Sequence, residues 1–574
     1  MKKAIGLFIV FSIMFSISNA QDWQWARGNT GNEIDGCATA TDKKGNVFVA
    51  GWDADDLARA WFDTIKIPSI GSWVNQTVVA KYDSSGRLLW ALGTQLGESI
   101  PMAITTDDNG DVYLFGIMNG PIQIGSTTES DSTFTLVPSY YCRPNEYFII
   151  KFDADGHVIW GVSEGGAPYI GFSAPFDPSY AAVVLKEGDI AIDQEGNVYI
   201  TTSYLSSAQI GTYTFIDTNY SSNILVAKYS PSGHVLWAKS FSGNDISGCL
   251  SYNITVTESH DIYIAGLFYS KTMTFGSTTL TNQDSTAKSR MFIARLDSLG
   301  NPVWADSAGK GLSYPGGLAT DKSNNVYLSG GFEDDSLMLA GTKVANPNTK
   351  LYSPSYYLIK FNPNNQVEWY KTGDTGVCYS IATDICGNIW VSGSIIGNQV
   401  TFDGNILLRP AGSPDALFIA EYTSTGEVVD YSALSSGGED QMGIAVDQLG
   451  NVFVASDYNQ RNFTVGPDIF SGDSLKEFLY VAKYSHEVNC ALSIKEQETN
   501  LKDEISLFPN PTNTQLSISA SGKIDIVTIS NLLGQTIFTN SYNSSQVQID
   551  VSTLPAGLYF VKINGSEVRK FVKQ

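Results

Sequence analysis

The chain has 574 residues, long enough for several domains or one large repeat array. It carries 35 Lys+Arg against 58 Asp+Glu, a formal charge of −23, so nucleic acid and anionic membrane are poor partners. Only four His leave little room for His-based catalysis, while 29 Tyr, 28 Phe and 53 Gly favour strands and turns.

The first segment reads Met1-Lys2-Lys3, an apolar run to Ile17, then Ser18-Asn19-Ala20. A basic start, a short apolar stretch and small residues before the cut predict a secretory signal peptide over 1–20. No other stretch is apolar for the ~18 residues a spanning helix needs, so no transmembrane segment is expected in the mature protein. The six Cys allow disulfides in an exported chain, and Cys37 with Cys490 would staple the ends of the next domain.

Residues 21–490 repeat one pattern seven times. Its first half is Asp-x-x-Gly-Asn-Val-Tyr, with heads at Asp42, Asp107, Asp193, Glu258, Asp321, Asp384 and Asp447, spaced 65, 86, 65, 63, 63 and 63. Its second half is Lys-Tyr-Asp-x-x-Gly-x-Val-x-Trp, ending at Trp90, Trp160, Trp237, Trp304 and Trp369, each nine residues after a Lys or Arg. In unit six Glu421 and Asp430 replace the Lys and the Trp. Such a ruler marks a repeat architecture. Runs of β-branched and aromatic residues between Asp/Gly turns predict four strands, A to D, per unit, hence a seven-bladed β-propeller. Unit seven lacks its last strand. The N-terminal Trp23-Gln24-Trp25 can supply it, because Trp25 precedes Asp42 by the same 17 residues that separate Trp90 from Asp107.

The short A–B and C–D turns should share one face. The longer B–C and D–A connections, expected to be irregular, should share the other, with an insertion of 33 residues from Trp160 to Asp193. Binding residues gather on such loops. The units resemble the secreted bacterial β-propeller repeat, whose Phe-Gly element stands at Phe275-Gly276 and, as a variant, at Phe402-Asp403-Gly404. The resemblance implies a fold and an exported location but no activity.

No catalytic motif is present: no G-x-S-x-G elbow, P-loop or H-E-x-x-H. No metal site is expected. Asp107-Asp-Asn-Gly and Asp153-Ala-Asp-Gly hint at Ca²⁺ but lack the downstream Glu of an EF-hand loop, so no cofactor is expected. The recurring Trp are expected in blade packing, and His157, His234 and His260 in turns. Trp52, Trp61 and Trp73 stand outside the repeat position, as do Tyr140, Tyr141, Tyr169, Phe172, Phe176 and Tyr180. Of these, Trp61, Trp73, Tyr140, Tyr141, Tyr169, Phe172 and Phe176 are the candidate ligand-binding residues. Together they could form an aromatic patch for an extracellular glycan or a protein. Packing of the long loops is the plainer explanation of the same residues. A non-catalytic binding or adhesion module is the leading expectation. An enzyme acting on an extracellular polymer or a structural matrix component are the alternatives.

After a polar linker, 491–504, the composition turns basic: 505–574 hold five Lys/Arg and three Asp/Glu. Short alternating strands predict a small immunoglobulin-like β-sandwich. Phe508-Pro509-Asn510-Pro511, Leu533-Gly534-Gln535, Pro555-Ala556-Gly557-Leu558-Tyr559 and the basic end at Lys570 and Lys573 stand in this order. They closely resemble the type A C-terminal sorting domain of the type IX secretion system. That resemblance implies the translocon and a sortase as partners, cleavage near 491–506, and release or attachment to a surface lipopolysaccharide.

Overall fold

The computed structural model describes residues 23–31, 33–53, 60–67, 75–125, 133–138, 146–165, 188–205, 207–218, 221–282, 289–308, 312–348, 354–410, 413, 415–436, 442–458, 463–470, 476, 478–485, 506–531, 535–564 and 567–574. The chain divides into two compact units, Met1–Val488 and Asn489–Gln574. The expected signal peptide and the 491–504 linker lie outside the described residues.

The first unit is a seven-bladed β-propeller. In blade one, strands Asp35–Thr41, Val47–Asp53, Gln76–Tyr82 and Leu88–Gly93 pair in that order from the channel outward, all antiparallel. Each innermost strand neighbours the next, and that of blade seven, Gly443–Val446, neighbours that of blade one, so the ring closes. Closure uses the N-terminal strand Trp23–Thr30 as the outer strand of blade seven, with Trp25 opposite Lys483. Strand B is buried throughout in blades one, four, five and seven because both of its faces touch neighbouring blades. The core therefore lies between blades: Phe48 and Val79 of blade one pack with Leu114 and Phe148 of blade two.

The repeat motif explains its own turn. Gly45 N–H donates to Asp42 C=O at 3.0 Å, and Gly45 sits at φ +76, where a side chain is costly. In blade five Asp321 Oδ1 accepts the amides of Ser323 and Asn325, and its Oδ2 accepts Asn325 Nδ2 at 2.8 Å and the Tyr327 hydroxyl at 2.9 Å. Asp, Asn and Tyr of the motif thus form one network around a single carboxylate.

One expectation is corrected. The B–C connections are not irregular: each contains a β-hairpin, as at Ser207–Ile210 with Tyr213–Ile216 and Thr272–Phe275 with Thr278–Thr281. The hairpin strands touch the outer strand of their own blade and often that of the preceding one. Phe275 shows the physical reason. Its ring packs at a tilt against Phe241 of blade three at 4.8 Å and Phe292 of its own blade at 5.4 Å, so an apolar anchor pins the connection into the seam. Ile210-Gly211, Leu339-Ala340-Gly341 and Val465-Gly466 occupy the same place as Phe275-Gly276 and Phe402-Asp403-Gly404.

The second unit is a small all-β body. Strand Gln515–Ser530 pairs with Ser506–Phe508, Thr536–Asp550 and Gly557–Ile563, and the last of these pairs with Glu567–Lys573. Register shifts between Ser519 and Ile526 bend the long strand so that it serves both ends of the core around Ile529, Val561 and Phe571.

Cys386 is disulfide-bonded, and Cys249 and Cys378 are free and buried. The expected pairing of Cys37 with Cys490 falls on side chains outside those described. No helix among the described residues is long and apolar enough to cross a membrane.

Candidate functional site

The repeated polar residues are first accounted for by the seams. Trp90 Nε1 donates to Ala154 C=O in the C–D turn of the next blade at 3.2 Å, and Lys81 Nζ donates to the same oxygen at 2.8 Å. Trp369 and Lys360 converge likewise on Ser424 C=O, at 3.1 and 3.0 Å. Trp25 and Lys483 converge on Ser84 C=O, both at 3.2 Å, across the closing seam. A Cβ on the turn glycine would strike the indole: 2.8 Å at Gly86, 3.1 Å at Gly156. Burial pulls the Lys81 ammonium below its ordinary pKa, against the opposing pull of Asp42. The motif Trp, with Lys81, Lys360 and Lys483, are thus seam clamps, while Lys151 and Lys228 pair with turn carboxylates of their own blades, and ligand chemistry must be sought elsewhere.

Among the described residues, two cavities lie along the channel. The inner one, about 370 Å³, is ringed by residues four before the first turn residue, which is Thr257 in blade four and Asp elsewhere, including Ala38, Asp189, Asn253, Gly317 and Ser380. Two of its polar groups serve the ring: Asp189 Oδ2 accepts Ile254 N–H at 3.2 Å and Ser380 Oγ accepts Ile444 N–H at 3.2 Å. The outer cavity, about 310 Å³, opens on the turn face and is rimmed by Asp193, Glu258, Asp321, Asp384 and Asp447. Four of these five are turn carboxylates already satisfied by the motif network. The turn at Asp153 follows the same logic: its Oδ1 accepts the amides of Asp155 and His157, and hydrogen bonds outweigh burial to hold its carboxyl below the ordinary value.

Two groupings are not legible in the sequence. The sequence places His260 simply in a turn. Its Nδ1 lies 3.8 Å from Asp193 Oδ2 and 3.6 Å from Glu195 Oε2, a donor set a divalent ion could use. Asp193 Oδ2, however, already accepts Asn197 and Tyr199 and faces Lys228 Nζ at 3.5 Å, so an ion would have to displace that ammonium. His260 occupies the turn position that is usually Gly, at φ +63; only alignment of the turns reveals it. The second grouping joins blades two and three. Tyr147 and Tyr229 hydroxyls meet at 3.2 Å, and Tyr229 donates to Glu164 at 3.2 Å. Burial, then the charge of Glu146, pushes the Glu164 carboxyl above its ordinary value despite those hydrogen bonds. Both phenols are buried and held well above their ordinary range. The same pair recurs as Tyr356 and Tyr422 at 2.8 Å between blades five and six, which marks it as a seam pin rather than an acid–base site.

Of the aromatic candidates, Trp61 is described and exposed, at 39%. It begins the hairpin Trp61–Phe62 with Ile65–Lys66, opposite Thr30 of the closing strand, and Lys66 Nζ lies 5.6 Å from its ring centre. Trp52, by contrast, is buried in the blade one–two core. Trp73, Tyr140, Tyr141, Tyr169, Phe172, Phe176 and Tyr180 lie outside the described residues. Among the sorting residues, Phe508, Asn510, Gly557 and Lys570 are exposed, whereas Tyr559 and Lys573 are buried; Gly534 lies outside the described residues. Pro509 and Pro511 are exposed in the turn after Phe508.

No curated protein matches the chain. Among solved structures, the Dos1 propeller is similar at 9% identity over 81% of this chain and 94% of that one, with a TM-score of 0.37. The polysaccharide lyase Uly1 is similar at 10% identity over 81% and 99%, with a TM-score of 0.41. PorZ of Porphyromonas gingivalis, a surface component of the type-IX secretion system, is similar at 8% identity over 95% and 100%, with a TM-score of 0.13. At such scores none of them bears on function, and the propeller rests on the strand order above. The family model of the secretion system C-terminal sorting domain matches residues 506–574. The tail is therefore a type IX sorting domain, and it directs the chain to the cell surface or the extracellular space.

Proposed function

We propose that the protein is an exported, non-catalytic binding module that holds a glycan or protein ligand through aromatic side chains on its loop face. The observation that carries this reading is Trp61. The repeat Trp are spent on seams, whereas Trp61 stands outside the repeat and presents its ring to solvent beside a cation. An exposed indole with an adjacent Lys suits stacking on a sugar ring or docking of a protein. In this reading 21–490 form the binding domain, 491–504 the segment cut by a sortase after the translocon, and a surface lipopolysaccharide the anchor of any retained fraction.

The test is a thermal-shift screen of the mature chain against extracellular polysaccharides, with and without Ca²⁺. A ligand specific to the folded state adds about 2.7 kcal/mol at a hundredfold excess over its Kd. Trp61→Ala should abolish a saturable shift and leave the unliganded melting point in place. Unchanged affinity in that variant would remove Trp61 from the site, and depolymerisation of a ligand would replace the binding reading with an enzymatic one.

A further inference from the structure

The sorting residues are separated in sequence but meet at one place. Asn510 lies in the turn after Ser506–Phe508, and its side chain reaches the terminal strand Glu567–Lys573. Its Nδ2 donates to Lys570 C=O at 3.1 Å, and Val572 N–H donates to its Oδ1 at 2.9 Å. The carboxamide thus stands in for a peptide unit of a neighbouring strand. The backbone continues the pairing: Thr512 N–H donates to Val572 C=O at 2.9 Å and Gln574 N–H to Thr512 C=O at 3.0 Å. On its other side the terminal strand pairs with Gly557–Ile563, where Tyr559 stacks on Phe571 at 5.5 Å and donates its hydroxyl to Pro555 C=O at 2.9 Å. The last residues are therefore held from both edges. Alternation then fixes what they display: Phe571 and Lys573 point inward, while Lys570 and Val572 point to solvent.

We propose that Asn510 is the positioning residue of the sorting signal. It locks the terminal strand so that Lys570 and Val572 are presented in one fixed register, and the export machinery reads that mixed basic and apolar face rather than Asn510 itself. The two basic residues of the tail then differ in role: Lys570 belongs to the displayed face and Lys573 to the interior. The two Asn510 partners, the C=O of Lys570 and the N–H of Val572, stand two residues apart on one edge, the spacing a parallel neighbour uses, and the Thr512 backbone repeats it with Val572 C=O and Gln574 N–H.

The test uses the full chain, expressed in a strain with the secretion system, in two variants. Asn510→Ala removes both side-chain bonds. Asn510→Asp keeps the acceptor for Val572 N–H and loses the donor to Lys570 C=O. Amide exchange at Val572 should rise about tenfold in Asn510→Ala and stay near the parent rate in Asn510→Asp. Exchange at Ile529 and Val561 should stay unchanged in both, which separates a loosened strand from an unfolded domain. The exported fraction should follow the Val572 exchange rate, lowest for Asn510→Ala and intermediate or normal for Asn510→Asp. Export equal to the parent in Asn510→Ala with fast Val572 exchange would overturn the proposal. Loss of export in Asn510→Asp with Val572 still protected would also overturn it, since the machinery would then read the carboxamide directly. If Asn510→Ala unfolds the domain as a whole, the Asn510→Asp result decides alone.

Discussion

Replacing Trp25 by Ala tests whether the ring is held shut by the N-terminal strand. Trp25 is 6% exposed, donates to Ser84 C=O at 3.2 Å, covers Gly86, lies beneath the Arg27 guanidinium at 5.6 Å and faces Phe453 at 6.0 Å. Truncating a buried aromatic of this size costs about 3–5 kcal/mol, against a total stability of about 5–15 kcal/mol for a domain. Trp25→Phe keeps one aromatic ring but loses the second ring of the indole and the N–H donor. Ser84 C=O still receives Lys483 at 3.2 Å, so the lost hydrogen bond accounts for about 0.5–1.5 kcal/mol and the total should fall between that and the Trp25→Ala cost. Trp61→Ala, at an exposed position, should stay within about 0.5 kcal/mol. Urea unfolding of the mature chain, followed by circular dichroism, ranks the three variants. Amide exchange locates the damage: in Trp25→Ala, strands Phe478–Tyr484 and Leu88–Gly93 should lose protection before Val198–Leu205 of blade three. A Trp25→Ala cost no larger than that of Trp61→Ala, or an even loss of protection around the ring, would refute the clamp.

Other outcomes follow from the same geometry. Gly86→Ala and Gly387→Ala both place a side chain at positive φ, +82 and +79, which costs about 1–2 kcal/mol; Gly86 adds a Cβ 2.8 Å from Trp25, while Gly387 has no atom within 4 Å. Gly86→Ala should therefore melt lower than Gly387→Ala, and equal melting points would show that the indole does not stack on the turn. Glu164 binds its proton more tightly in the folded chain than in the unfolded one. Its contribution is thus most favourable at low pH and falls as pH rises from the ordinary carboxylate range through the raised folded value. Glu164→Gln should flatten that part of the melting curve and melt above the parent near neutral pH; parallel curves for the two proteins would remove burial as the cause. Lys81→Met should weaken the blade one–two seam through loss of the bond to Ala154 C=O, and a melting point unchanged from the parent would assign that seam to Trp90 alone.

The seven-fold ruler was legible in the sequence because its parts are local. Asp, Gly and Asn of the turns, joined by Tyr in blades two, three and five, satisfy one another within seven residues, so selection for the turn writes a short motif. Ring closure was legible for a related reason: Trp25 had to keep its distance from the first turn to reach Ser84. The sorting tail, with several short motifs in a fixed order, was equally plain. The B–C hairpins were missed because their anchor is only one apolar residue and a Gly, as in Ile210-Gly211 or Val465-Gly466, a signal too weak to stand out without the seams it fills. The clustering of His260 with Asp193 and Glu195, and of Glu164 with two tyrosines, depends on side chains from adjacent blades some 65 residues apart or more. Asn510 and Val572 are 62 residues apart. Sequence alone determined the local turns, the number of blades and the export signal. Only the tertiary structure decided which polar groups face each other, because those pairings are made by the curvature of the ring and the register of its strands, and no short stretch of chain encodes them.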